Sequence, residues 1–412
     1  ALGAYLTALD WRTLEPHLEG AARAKGGAAL GEFLTGFRER GRLLLLDVED
    51  RNTRGLTGAE SEGESHFRAL CKDTLYSHKS SESSGGSYGL GKSVLWAFSG
   101  LSTVLFNSIL VDDDRAADSP RLVGRAELPS HAVTDGRWHT GSGWLGREVR
   151  VSKRGARAES VWAEDAVRRA QALHIDRGPG APPGTTIQIV GFRDPTRELE
   201  SPERVASEIE DASVRFFWPA MISERHMRVW VQTGDRPRPV DVEGKQEVAP
   251  FVDCYRRRGE AVATLEHPGD VAVRRVKVDI PARRDGSPAA EGHADLVVRL
   301  ATERELKHPG LGHVAMFRGP GMVIRYWDRG GLMLGMRPFH ALLLAGEARD
   351  PESPSPEDTA TERFLRAAEP PGHDEWRATP ALRQGYQRGG PVALERLHRS
   401  VTEELRLLLA PR

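Results

Sequence analysis

The chain has 412 residues, 39% of them hydrophobic and 28% charged, with a formal net charge of −1. This composition fits a globular protein of two or three domains and excludes a disordered or fibrous chain. The balanced charge gives no global pull toward nucleic acid or an anionic membrane, and no apolar run approaches the ~20 residues that span a bilayer.

Two distant cysteines, Cys71 and Cys254, are too few for a disulfide scaffold or a zinc site. No basic-then-apolar signal opens the chain. A cytoplasmic protein with reduced thiols is therefore expected.

In chain order, Ala28–Arg40 carries Leu30, Phe33, Leu34 and Phe37 at helical spacing. Gly41 is placed to end that helix. Residues 43–48 are a largely apolar run and read as a buried strand. Residues 49–63 read as loop and 66–75 as a short helix. Residues 77–91 are a low-complexity loop with nothing to build a core. A helix is expected at 92–100, strands at 102–110, 121–128 and 185–192, and an acidic turn at 112–118.

Residues 202–217 read as a helix with Ser201 as its N-cap, near a domain boundary. Further strands are expected at 227–232, 271–280, 294–300, 313–318 and 322–327. Residues 347–357 read as a charged, proline-rich linker. Residues 358–412 read as mostly helical, interrupted at Pro370 and Pro371, with an apolar stripe of Leu397, Val401, Leu405 and Leu408.

The sharpest chemical pattern is GSYGLGKS at 86–93, a match to the phosphate-binding P-loop. Its context argues against that reading. A P-loop springs from a buried strand, and the preceding SHKSSESSG cannot form one. The strand whose acid holds magnesium follows the P-loop in such enzymes, whereas LLLLD at 43–47 precedes it. A second arrangement joins three segments in order: VEDRNTRGLTG at 48–58, GGSYGLGKS at 85–93 and GTTIQIVGF at 184–192.

In this order the segments resemble the motifs of the GHKL ATPases, the group of gyrase B, MutL and the histidine kinases. The longer phrases EDRNTRGLTG, GGSYGLGKSVLWAFSGLSTVLFNS and GTTIQIVGF resemble a subgroup. These are MutL-like ATPases of bacterial restriction and antiphage operons, relatives of the MORC proteins. FRGPGMVIRYW and FLRAAEPPGHDEW are also similar to that subgroup.

The resemblance implies an α+β chain. A Bergerat-type α/β sandwich would bind ATP at 1–200, a mixed transducer-like α/β domain would fill 201–346, and a linker and helical C-terminal segment would fill 347–412. Asp50 would accept the adenine amino group, with Asn52 near the place of the usual first glycine. Gly55 and Gly58 would let the backbone pass close to base and ribose. Gly85, Gly86, Ser87, Tyr88, Gly89, Leu90 and Gly91 would form the lid around the phosphates. Lys92 and Ser93 would open the helix behind it, its positive end toward the phosphates. Lys92 or Lys79 would pair with a phosphate oxygen. Thr185 would bond the adenine or the Asp50 carboxylate, directly or through water.

The implied cofactors are ATP and Mg2+. The implied behaviour is lid closure and homodimerisation, driving defence-operon partners such as a nuclease or helicase. Lys245 and Lys307 are available to reach the terminal phosphate, but no motif supports either. The basic runs at 255–258 and 274–277 could touch DNA phosphates, although a solvated face is the expectation.

One departure matters. The family places a catalytic Glu and a magnesium-binding Asn on a helix before the first motif. Here no Asn precedes Asn52, and Glu15, Glu19 and Glu32 have no Asn four residues on. The catalytic residues are therefore unknown. Because the chain starts at Ala1 and not at a methionine, that helix is expected upstream. Two other readings stay open: a P-loop NTPase through Gly86–Ser93, and a degenerate GHKL scaffold that binds partners without ATP turnover.

Overall fold

The computed structural model describes residues 2–60, 63, 65–72, 92–152, 155–196, 201–223, 227–333 and 335–411. The chain is α+β, and its described residues form two compact units, one within 2–196 and one within 201–411.

The first unit opens with three helices, α1 (Leu2–Ala8), α2 (Trp11–Arg23) and α3 (Ala28–Arg40). In α3 the expected periodicity is realised: Leu30, Leu34 and Phe37 are buried, and Gly41 closes the helix with its N–H on the Phe37 carbonyl. Strand β1 (Leu45–Glu49) follows, then α4 (Ser93–Ala97), β2 (Ser99–Ile109) and β3 (Arg121–Glu127). A small hairpin, β4 (His131–Ala132) and β5 (Trp138–His139), leads to β6 (Ser142–Leu145) and a second hairpin, β7 (Arg147–Ser152) and β8 (Gly155–Glu159). Strand β9 (Val161–Trp162), helix α5 (Ala163–Ala172) and strand β10 (Gly184–Phe192) complete the unit.

The main sheet runs β1-β10-β2-β3-β6, with β9 also on β3. Every pairing in it is antiparallel.

Alternation along β2 divides the core. Leu101 and Leu105 join the cluster of α1, α2, α3 and α5. Val104 and Phe106 join the cluster of Leu56, Phe67 and Cys71 on the opposite face. The helices therefore cover one face, and the loop after β1 covers the other.

Two expectations are corrected. The run 43–48 was expected as a buried strand, but β1 lies at the sheet edge, paired only with β10, and Val48 is 49% exposed. An apolar run has the same spelling at an edge as in the centre, and only the pairing separates them. The helix expected at 92–100 is only the five residues of α4, because the chain turns into β2 at Ser99.

The second unit begins with α6 (Pro202–Ile222), capped as expected by Ser201, which accepts from the Arg204 N–H. It continues through β11 (Trp230–Val231), β12 (Arg238–Pro239), α7 (Ala249–Arg256), β13 (Val271–Ile280), β14 (Ala290–Leu300), β15 (His313–Phe317), β16 (Val323–Asp328) and β17 (Phe339–Ala345). Helices α8 (Pro356–Ala367), α9 (Pro380–Gly385) and α10 (Gly390–Leu409) end it.

The sheet order is β13-β14-β17-β15-β16, with β15 and β17 parallel. Along β17, Ala341 and Leu343 face the core built with α8 and α10, while Leu342 and Leu344 face the core built with α6 and α7. The apolar stripe of α10 is buried in the first of these cores.

Residues 347–355 are tied down. Arg349 pairs with Asp295 and Asp358, and Ser355 with Asp358 makes a capping box for α8. The FRGPG and EPPGH phrases meet through buried Arg318, which donates to Glu369 at 2.7 Å and to Glu362 at 2.5 Å. Both cysteines are free and buried. No described helix is long and apolar enough to cross a membrane.

Candidate functional site

Asp50 follows the last residue of β1, and Thr185 is the second residue of β10. The antiparallel register pairs Glu49 with Thr186, which sets Asp50 opposite Thr185. The Asp50 N–H donates to the Thr185 carbonyl at 2.9 Å. The Thr185 N–H donates to Asp50 Oδ1 at 2.9 Å, and Thr53 Oγ1 donates to the same oxygen at 2.6 Å. Oδ1 is thus fixed by two donors. Among the described residues no hydrogen bond reaches Oδ2, and the side chain is exposed.

The expected Thr185–Asp50 link is present, but it runs through the Thr185 backbone. The Thr185 hydroxyl lies 3.1 Å from Ser108 Oγ. Ser108 in turn donates to the Gly184 carbonyl and accepts from the Leu56 N–H. Strands β2 and β10 and the loop after β1 therefore share one buried hydroxyl.

Two glycines are sterically required. A Cβ on Gly184 would lie 2.3 Å from the Asp50 carbonyl oxygen. A Cβ on Gly55, whose φ is +71°, would lie 2.4 Å from the Ile109 carbonyl oxygen. Asn52 takes the left-handed conformation at φ 60°, in keeping with its tolerance for that region. Gly58 donates its N–H to Asp113 at 2.7 Å.

Lys92 and Ser93 stand at the start of α4. Lys92 Nζ donates to the Ala69 carbonyl. With α4 at five residues, the helix dipole expected behind the lid is short. Lys79, Gly85, Gly86, Ser87, Tyr88, Gly89, Leu90 and Gly91 lie outside the described residues.

Comparison of the chain with protein-family models and with curated proteins gives no match.

Sequence reasoning passed over four residues that build this site. Arg177, its side chain 1% exposed, donates to the Asp50 carbonyl at 2.8 Å and to Thr186 Oγ1 at 3.0 Å. Arg121, also 1% exposed, donates to the carbonyls of Leu56 and Gly58, to Ser160 Oγ and to Glu60. Its guanidinium lies 3.3 Å from the centroid of Phe67, and burial lowers its pKa. Ser108 and Asp113 are the other two. In the sequence a buried arginine looks like any surface arginine. Arg121 gives one signal, a cation directly before the apolar pair Leu122 and Val123 of the strand RLVGRAE.

The helices before β1 do not supply the missing catalytic pair. They contain no Asn. Glu15 and Glu19 on α2 both pair with Arg38 on α3, and these helices cover the sheet face opposite Ser108. The described residues thus fit an adenine-type donor at Asp50 but hold no counterpart for the implied magnesium ligand. In the second unit, Lys245 pairs with Asp211 at 2.9 Å. The basic runs there are largely paired too, Arg256 with Glu243 and Lys277 with Glu291.

Proposed function

We propose that the first unit binds ATP in the manner of the GHKL ATPases, with Asp50 reading the adenine amino group. The observation that carries this reading is the fixed Asp50 carboxylate at the β1–β10 junction. One oxygen is held by Thr185 and Thr53, which orients the other as an acceptor for an exocyclic N–H. The lid segment at 85–93 and Mg2+ at the phosphates complete the proposal by resemblance. On the same ground, the chain acts as a MutL-like switch that dimerises on ATP and works with defence-operon partners.

The antiparallel sheet supports this reading over a P-loop, whose strand normally belongs to a parallel βαβ unit. The absence of a Glu/Asn pair on the upstream helices favours a second version, in which this chain binds nucleotide without turning it over.

The test is thermal melting with and without Mg2+ and a non-hydrolysable ATP analogue. Ligand at a hundredfold excess over its Kd adds about 2.7 kcal/mol of stability. A rise that Asp50→Ala abolishes supports the site. No rise in the parent chain removes the ATP reading for this chain and leaves the scaffold reading.

A further inference from the structure

On the helix-covered face of the first unit, a cavity of about 280 Å³ lies between α1, α2 and α5 and strands β2, β3 and β6. Leu9, Leu14, Leu105, Leu122 and Leu173 give it apolar walls. Packed interiors hold few voids larger than a water molecule. A concave, mainly apolar space with a few polar groups is the usual form of a small-molecule site.

The sheet wall of this cavity is built from small residues. Gly143 of β6 stands directly opposite Ala126 of β3, and both line the space. A Cβ on Gly143 would meet only the Ala126 Cβ, at 3.7 Å, so no clash in the fold requires this glycine. A glycine inside a strand gives up packing, and it marks places where a ligand or another backbone comes close.

The histidines along the cavity already have partners. His17 Nδ1 lies 3.0 Å from His131 Nε2, and His131 Nδ1 lies 2.8 Å from the Pro129 carbonyl. The rings of His17 and His139 meet edge to face at 4.6 Å.

Two charged side chains on the cavity are unpaired. Asp10 is the N-cap of α2, a position from which an aspartate normally accepts from the first helical N–H groups. Here it makes no side-chain cap bond, its backbone is left-handed at φ 56°, and it lines the cavity. Arg169, in the last turn of α5, lines the cavity too. Among the described residues neither side chain has a hydrogen bond or an ion pair, with the other or with any third group. A carboxylate and a guanidinium beside one apolar space match a molecule with an apolar body and a head group carrying both charges.

We propose that this cavity binds an α-amino acid with a large apolar side chain. The side chain fills the space beside Gly143 and Ala126, the ammonium donates to Asp10, and the carboxylate accepts from Arg169. The site lies across the sheet from Asp50 and does not rest on the nucleotide reading.

The test is calorimetric titration of the full chain with L-phenylalanine, and with phenethylamine and 3-phenylpropionate, which each lack one of the two charges. L-phenylalanine should bind once per chain, and each half-ligand at least ~10-fold more weakly, the worth of one charge-assisted hydrogen bond. Asp10 and Arg169 are exposed, so Asp10→Asn and Arg169→Gln should melt like the parent. Asp10→Asn should bind L-phenylalanine no better than 3-phenylpropionate, and Arg169→Gln no better than phenethylamine. Gly143→Val fills the cavity from a position with room for a side chain. It should melt at or above the parent and lose the binding. No binding of L-phenylalanine, half-ligands that bind as tightly as L-phenylalanine, affinity unchanged in both charge variants, or binding that survives Gly143→Val would overturn the proposal.

Discussion

The Thr185 N–H donates to Asp50 Oδ1 while the Asp50 N–H donates to the Thr185 carbonyl, each at 2.9 Å and across 135 positions of chain. This reciprocal pair locks the end of β1 to the start of β10. It also separates the two carboxylate oxygens by role, one structural and one free to accept.

Asp50→Asn tests that separation. The Asn carbonyl oxygen can still accept from Thr185 and Thr53, so stability without ligand should stay within about 0.5 kcal/mol of the parent. The outer atom becomes an NH2 donor and can no longer accept an adenine amino proton. The melting shift with the ATP analogue should disappear. A retained shift would mean that the base is read elsewhere.

Arg121→Met should unpin the loop after β1. The substitution leaves the Leu56 and Gly58 carbonyls and the Glu60 carboxylate without their shared partner. Breaking a buried pair from one side costs about 3–5 kcal/mol, which urea denaturation of the chain would read. A loss below about 1 kcal/mol would show that Ser108 and Asp113 hold the loop by themselves.

His340 should make the second unit sensitive to acid. It is fully buried, and among the described residues neither ring nitrogen has a hydrogen-bond partner. Burial lowers its pKa to about 3, helped by His308, Arg299 and His313 and opposed by Glu305. The unfolded imidazole titrates near ~6.5. A depressed base gives stability that is complete above the unfolded value and is lost as pH falls from ~6.5 toward 3. At pH 5 the difference is on the order of 2 kcal/mol. His340→Phe should remove that part of the slope between pH 7 and pH 5. An unchanged slope would assign the acid sensitivity to carboxylates.

Much of the fold is legible wherever neighbours in sequence are also neighbours in space. Helix α3 follows from Leu30, Leu34 and Phe37 with Gly41 behind them, strand β13 has the expected bounds, and Ser201 caps α6. Helices α1 and α2 were not legible, since α2 buries only Leu18, Gly20 and Ala21 and carries Pro16 inside it. The candidate site was half legible. Asp50, Asn52, Gly55, Gly58 and Thr185 stand out by type and order, while Arg177 and Arg121 do not.

By itself, the sequence determined the local elements and the residue types around Asp50, because spacing, capping and turn chemistry act over a few residues. Only the tertiary structure decided that β1 is an edge strand. It also decided that Thr185 meets Asp50 through its backbone, that two arginines lie buried behind the loop, and that three histidines meet across α2 and a hairpin. Each of these depends on strand register and packing between distant segments, which no local pattern encodes.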